Sequence, residues 1–248
     1  MIVALLMGKK VSLGFPGKNL YPVLGRPLMM YPLMAAKEAK SVDKIFVTTD
    51  DADIKKNALS CGAQIIDRPP ELCTPEALGE DVFVHGYHWI KNHLKKNIEL
   101  IILLMCNAPT VKSEMIDDGV KIMLADPLID SAVSVSKYNM WSPLRARRID
   151  KDGLLKPFVP LEAFAGASPL SCDRDSQGDV YFADMGLSIV RPRCLENIKE
   201  GLLPQRWMGK RIYPLTQTAG CDVDYQWQIP QVEYWIKQNL KVFSKNES

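Results

Sequence analysis

Short unbroken apolar runs alternate with segments of helical spacing through the first half of the chain. The runs are Ile2–Met7, Lys44–Thr48, Gln64–Ile66 and Leu100–Met105, and strands buried on both faces of a parallel sheet read this way rather than as alternation. Between them the pattern predicts helices over Leu28–Ala39, Ala52–Ser60 (closed by Gly62) and Asp81–Lys95. The order βαβαβαβ specifies an α/β class with a doubly wound, mainly parallel sheet. Pro32 falls in or just past the first turn of the first helix, which is therefore expected to start late or kink. Ser113 reads as an N-cap, with Glu114, Asp117 and Asp118 where carboxylates suit the helix dipole, and that helix runs to Leu124.

The texture changes near Ser131. SAVSVS and Pro143–Ile149 are strand-like, KDG signals a turn, and LLKPFVP follows, which reads as an antiparallel excursion from the sheet. Glu162–Gly178, rich in Ala, Gly, Ser, Asp and Pro, is a loop of a length reserved for function or subunit contact. Gly186–Val190 resumes a strand, Pro192–Glu200 a helix, and Ile229–Leu240 a last helix opened by Pro230. One domain over 1–240, carrying an insertion at 137–178 and followed by a polar tail at 241–248, accounts for this order.

Composition narrows the class. The 248 residues carry 31 Lys plus Arg against 29 Asp plus Glu, a net charge of +2, with 47% hydrophobic and 24% charged residues. A chain of this size buries a large core without staples. Near-neutrality argues against a dedicated nucleic-acid binder, which concentrates positive charge, so the expected partner is small. The cysteines at 61, 73, 106, 172, 194 and 221 form no CxxC pair and no secreted framework, and are read as reduced. Ile2–Met7 precedes its lysines and is too short for a signal or a membrane span. A cytoplasmic protein with no membrane partner is the expectation.

The loop after the first strand, GKKVSLGFPGKNLYPVLGRPL, places Gly8, Gly14, Gly17 and Gly25 among Lys9, Lys10, Lys18 and Ser12. Open sheets bind ligands at the carboxyl ends of their strands, where glycine-rich turns bring amides and lysines to phosphates. The segment fits neither GxxxxGK[ST], since Asn19 follows Lys18, nor GxGxxG. Near the other end, GCDVD puts Asp222 and Asp224 at i and i+2, on one face of an extended chain. Mg²⁺ or Mn²⁺ is commonly held by one or two carboxylates together with substrate phosphates.

Taken together these segments resemble the CMP-sugar synthetase family, the acylneuraminate and related cytidylyltransferases. Its loop commonly reads ARGGSKGIPGKN, against GKKVSLGFPGKN at 8–19. VTTDDADI at 47–54, GAQIIDRPPELCTPEA at 62–77, DSAVSVS, KDGLLKP, GKRIYPL at 209–215 and CDVDYQWQI also lie in family order. The resemblance implies a Rossmann-like nucleotidyltransferase fold with a dimerisation excursion, and transfer of CMP from CTP to a sugar acid by a homodimer. It implies that Gly8, Lys9, Lys10, Ser12 and Lys18 serve the triphosphate, Asn19 the nucleoside and Arg68 the cytosine region, with Asp222 and Asp224 on the metal. Lys18, Asp222 and Asp224 then form the catalytic set, and Arg174, Arg145 and Asp184 lie on the acceptor side.

The departures from the family pattern are specific. Lys9 replaces the usual loop arginine, Leu13 stands where a phosphate-facing lysine is customary, and Lys10 substitutes only in part, since an ammonium lacks the guanidinium fork. LLMCNAPTV at 103–111 replaces LLQPTSPLR, putting Met105 and Val111 where a glutamine and an arginine are usual, and YFADMGLS replaces YRENGAIY. The expected acceptor is therefore a 3-deoxy-2-ulosonic acid recognised differently from ordinary N-acetylneuraminate. A phosphorylated polyol or phosphonate acceptor, or an inactive nucleotide-binding dimer, are the alternatives. His85, His88 and His93 share one helix without completing a zinc tetrahedron. Trp141, Trp207, Trp227 and Trp235 are assigned to core or subunit packing, and Arg145, Arg147 and Arg148 are either solvated strand charge or acceptor ligands in a neighbouring subunit.

Overall fold

Each of the four apolar runs becomes a strand of one sheet. The computed structural model describes residues 1–10, 12–160, 171, 173 and 177–240. The strands are β1 (Ile2–Met7), β2 (Pro22–Val23), β3 (Arg26–Pro27), β4 (Lys44–Thr49), β5 (Gln64–Asp67), β6 (Leu100–Met105), β7 (Ser131–Lys137), β8 (Arg147–Ile149), β9 (Leu155–Pro157), β10 (Tyr181–Val190) and β11 (Ile212–Gln217). The helices are α1 (Met30–Glu38), α2 (Ala52–Ser60), α3 (Gly79–Leu94), α4 (Ser113–Ala125), α5 (Pro192–Glu196) and α6 (Ile229–Asn239). The sheet order is β11-β7-β10-β6-β1-β4-β5. Only β10 runs against its neighbours β6 and β7; the other pairings are parallel. The carboxyl ends of β1, β4, β5, β6, β7 and β11 therefore meet along one edge, which positions the site.

Alternation within the apolar runs divides the core into two layers, one on each face of the sheet. Ala4, Leu6, Ile102 and Leu104 pack with Leu33 of α1 and with Ile116 and Val120 of α4, whereas Val3, Leu5, Ile101 and Leu103 pack with Phe83, Tyr87 and Ile90 of α3. Gly86 lets α3 sit directly on the sheet, because a Cβ there would come within 2.7 Å of Leu5. A third cluster joins the two ends of the chain: Phe15, Val23, Leu28 and Tyr31 pack with Val223, Ile229, Val232, Trp235 and Ile236. Trp207 and Trp235 are core residues, whereas Trp141 and Trp227 are exposed.

α1 starts late, at Met30 rather than Leu28, as Pro32 leads one to expect, which puts Pro32 in the first turn, where its missing N–H costs no hydrogen bond. Other expectations need correction. Lys112, not Ser113, is the N-cap of α4; the Ser113 hydroxyl bonds the Glu114 carboxylate. Pro143–Arg145 is a 3₁₀ turn and not strand, because Pro143 fixes φ and the Ser142 hydroxyl accepts from the Leu144 amide. The Pro192–Glu200 helix breaks at Asn197 into α5 and a 3₁₀ turn. β10 begins five residues before Gly186, the intervening Asp184–Leu187 forming a bulge with Met185 at φ 60°. The glycine-rich connection contains a hairpin, β2–β3, whose turn residues Leu24 and Gly25 both have positive φ. The antiparallel pair β8–β9 around KDG forms its own two-stranded sheet. The polar tail, most of the 162–178 loop and Arg174 lie outside the described residues.

Candidate active site

The loop after β1 and the acidic segment after β11 lie against each other. Gly14 sits on the backbone of Asp224, where a Cβ would approach the carbonyl oxygen to 2.8 Å, so this crossing requires glycine. Phe15 anchors the loop in the same apolar cluster as Val223 and packs edge-on against Tyr21 with ring centroids 5.0 Å apart. From that anchor Lys18 reaches Asp224, Nζ to Oδ1 2.5 Å. Asn19 is buried and donates to the Lys9 carbonyl at 3.0 Å. The Lys10 amide donates to Asp50 at 2.9 Å, while the Lys9 and Lys10 side chains are exposed and Ser12 is half-buried.

Val223 is fully buried between Asp222 and Asp224, and the two carboxylates lie near enough to act on each other electrostatically. Burial, and after it the neighbouring Asp224 carboxylate, pushes the Asp222 carboxyl up to about 6, with Lys18 and the Asn107 amide acting in the opposite direction. Two carboxylates so placed, one of them poorly solvated, favour a compensating cation; in this structure the Lys18 ammonium supplies that charge. They also match the incomplete donor set by which Mg²⁺ or Mn²⁺ is shared with substrate phosphates.

The backbone of this segment is held peptide by peptide. The Gly220 amide donates to Ser136 Oγ and its carbonyl accepts from the Tyr138 hydroxyl, both at 2.9 Å. Thr110 Oγ1 accepts from the Cys221 amide at 2.9 Å and donates to the Cys221 carbonyl at 3.1 Å. The Val223 amide donates to the Asn107 carbonyl at 2.8 Å, and Asn107 Nδ2 donates to the Val223 carbonyl at 3.0 Å and to Asp222 Oδ2 at 3.4 Å. Gln228 closes the far end, accepting from the amides of Asp224 and Tyr225 and donating to the Asp222 carbonyl. Asn107, Thr110 and Gln228 are not legible as site residues in the sequence, because amides and hydroxyls in loops carry no distinguishing pattern.

Asp184 and Arg68 are both buried and hydrogen-bonded within the fold. Asp184 is not placed to meet an acceptor: it is buried, and its carboxylate accepts from Ser134, Ser136, Gln217 and the Gly186 amide. It supports Gly220 from beneath, where a Cβ would meet Asp184 Oδ2 at 2.3 Å. Arg68 is buried at the carboxyl ends of β1 and β4, donating to the carbonyls of Gly8 at 2.8 Å and Thr48 at 2.7 Å. Burial draws its guanidinium below the ordinary arginine value, with Asp50 opposing. Among the departures from the family pattern, Leu13 is exposed, while Met105 and Val111 pack into the core. Arg147 donates to the nearby Leu144 and Ala146 carbonyls, and Arg145 and Arg148 are at least partly exposed. Among the described residues no group of three or more His, Cys, Asp or Glu is placed to hold a metal, so His85 and His88 have no completing ligand there; His93 stacks on Trp89. No helix among the described residues is long and apolar enough to cross a membrane.

Residues 9–140, just over half of the chain, match the family model described as cytidylyltransferase. The chain is 24% identical over 230 residues to the N-acylneuraminate cytidylyltransferase of Oncorhynchus mykiss, covering 93% of this chain and 49% of that protein. It is 29% identical over 241 residues to the CMP-N,N'-diacetyllegionaminic acid synthase of Legionella pneumophila, covering 88% of this chain and 98% of that one. The chain thus spans about half the length of the Oncorhynchus relative and nearly all of the Legionella one. Among solved structures, CMP:2-keto-3-deoxy-manno-octonic acid synthetase complexed with CTP superposes with a TM-score of 0.67 at 18% identity, covering 96% of this chain and 99% of that chain. The two share a fold.

Proposed function

The chain belongs to the cytidylyltransferase family, and from that premise we propose that it transfers CMP from CTP to a 3-deoxy-2-ulosonic acid, sialic-acid-like or octulosonic, with release of pyrophosphate. The observation that carries this reading is the crossing of the lysine- and glycine-rich loop over the Asp222–Asp224 pair, sealed by Lys18 and Gly14. A phosphate chain laid along the loop meets the exposed Lys9 and Lys10 ammonium groups and ends beside two carboxylates. Asn19 and Arg68 fix the backbone at Lys9 and Gly8, and so the shape of the cradle, before any direct part they take in holding the nucleoside.

Asp222 and Asp224 are the proposed ligands for Mg²⁺ or Mn²⁺. That cation would neutralise charge on the phosphates; the acceptor's anomeric hydroxyl attacks the α-phosphorus in line, its proton passes to solvent, and the bond to the departing pyrophosphate breaks. Lys18 would pair with the triphosphate in place of Asp224 and, with Lys9 and Lys10, would stabilise the departing pyrophosphate. Calorimetry with CTP, UTP, ATP and GTP in millimolar Mg²⁺ tests the nucleotide assignment. Tighter binding of CTP is expected, and equal affinity for all four would overturn the cytidine reading.

The same reading makes the chain a homodimer joined through the excursion. Trp141, Ile149, Leu155 and Phe158 are each more than 60% exposed, and apolar surface gathered on one projecting excursion marks an interface. Light scattering is expected to give the mass of two chains, falling to one when Trp141 and Phe158 are replaced by Glu. A monomeric wild type at working concentration would contradict it.

A further inference from the structure

We propose that Gln228 is a positioning residue for the two carboxylates, holding Asp222 and Asp224 in the geometry that binds the divalent cation. The inference rests on the metal role proposed above for that pair.

Gln228 is the N-cap of α6, yet its side chain does not cap the helix. A capping side chain bonds the amide of the second or third helical residue, and here the second is Pro230, which has none. The amide group of Gln228 turns back instead. Its Oε1 accepts from the backbone amides of Asp224 at 2.7 Å and Tyr225 at 2.8 Å, and its Nε2 donates to the Asp222 carbonyl at 3.1 Å. One neutral side chain thus ties together the peptide groups on both sides of Val223. Aspartate or serine, the usual N-cap residues, would be too short or would lack the donor for the third bond.

The geometry gives this clamp a defined task. Val223 is anchored in the apolar cluster, so translation of the segment is blocked there and rotation about that anchor is limited by the hydrogen bonds to its peptide groups. Rotation would swing both carboxylates together. Asn107 restrains it from one side, through Val223 and Asp222, and Gln228 from the other. Asp224 and Tyr225 are exposed, so water satisfies their amides once Gln228 is replaced. The fold loses one half of the capping box that closes the 3₁₀ turn Gln226–Gln228, a local cost, while the carboxylates lose their alignment. A residue that merely stabilised the fold would show the reverse.

The test uses Gln228→Met, which keeps the length and packing of the side chain and removes all three bonds. Three quantities are read: melting temperature without ligand, Mn²⁺ affinity in the presence of CTP by electron paramagnetic resonance, and kcat with KM for CTP. The expected result is a melting temperature near that of the wild type, with Mn²⁺ affinity and kcat each reduced about 10-fold to 100-fold, the range found when groups that orient metal ligands are removed. KM for CTP should stay close to the wild-type value. If the methionine variant fails to fold, Gln228→Asn, one methylene too short to span the same groups, carries the same expectation. Wild-type Mn²⁺ affinity and kcat, or losses that track a fall in melting temperature, would overturn the proposal. Asp222→Asn and Asp224→Asn run in parallel separate the two readings: if both bind Mn²⁺ as the wild type does, the metal assignment falls and the positioning role with it, whereas a silent Gln228→Met beside a defective Asp222→Asn or Asp224→Asn removes the positioning role alone.

Discussion

Asp222→Asn and Asp224→Asn are each expected to lower turnover about 10²-fold or more while changing CTP affinity only a few-fold, because a charge that acts on the transition state is felt in kcat before it is felt in binding. Both substitutions keep shape and remove one negative charge, so they leave Val223 in its cluster and the loop over the segment. Unchanged turnover in both variants would contradict the metal role. A single silent variant would leave one carboxylate as the ligand.

The same substitution at Asp222 is expected to stabilise the protein without ligand. Folding raises the Asp222 carboxyl from 3.8 to about 6, chiefly through burial and then through Asp224. The native state thus binds the proton more tightly than the unfolded chain does. The resulting contribution to stability is complete below the unfolded value and is lost as pH rises through about 6. Above that point the ionised side chain costs the fold on the order of 3 kcal/mol, which asparagine does not incur. Melting curves in chelator should therefore show Asp222→Asn more stable than the wild type at about pH 8 and close to it at about pH 4. Equal stability at both values would mean that Asp222 carries no strain in the absence of a cation.

How far the fold is legible follows from where each strand lies in the sheet. β1 and β6 are central and covered on both faces, so Ile2–Met7 and Leu100–Met105 are unbroken apolar runs with no competing interpretation. β11 is an edge strand that pairs only with β7, exposes most of its residues and contains Pro214, a residue confined to sheet edges. Its pattern therefore resembles loop. β10 is only half visible because the Asp184–Leu187 bulge interrupts the apolar alternation.

The site divides in the same way. Lys18, Gly14, Asp222 and Asp224 are recognisable from the glycine- and lysine-rich loop and the paired carboxylates, and the structure places Lys18 and Gly14 against Asp224. Asn107 and Gln228 reach the acidic segment from outside it, and Asn107 does so across 115 positions of sequence, a relation that no local spacing encodes. Asp184 is misplaced by its position in the family order, which suggests the acceptor side. The signal against that assignment is present in SAVSVS: Ser134 and Ser136 fall on a buried strand, where hydroxyls need partners, and Asp184 is the partner of both.

The second large effect concerns the wild-type protein itself. With CTP, Mg²⁺ and a 3-deoxy-2-ulosonic acid, it is expected to form a phosphodiester between CMP and the anomeric oxygen, with one pyrophosphate for each CTP consumed. Neither product should accumulate without the acceptor, since the proposed reaction assigns the nucleophile's part to the sugar hydroxyl and not to water. A phosphorylated polyol or phosphonate would need a denser basic cluster than Arg145 and Arg148 provide among the described residues. Phosphorus NMR of the complete reaction, with sialic-acid-like and octulosonic acids offered beside a phosphorylated polyol and a phosphonate, reads all of this at once. A new phosphodiester resonance with equimolar pyrophosphate, seen with an ulosonic acid, is the expected result; CTP that stays intact with every ulosonic acid, or is consumed only with the polyol or phosphonate, would contradict the proposed function.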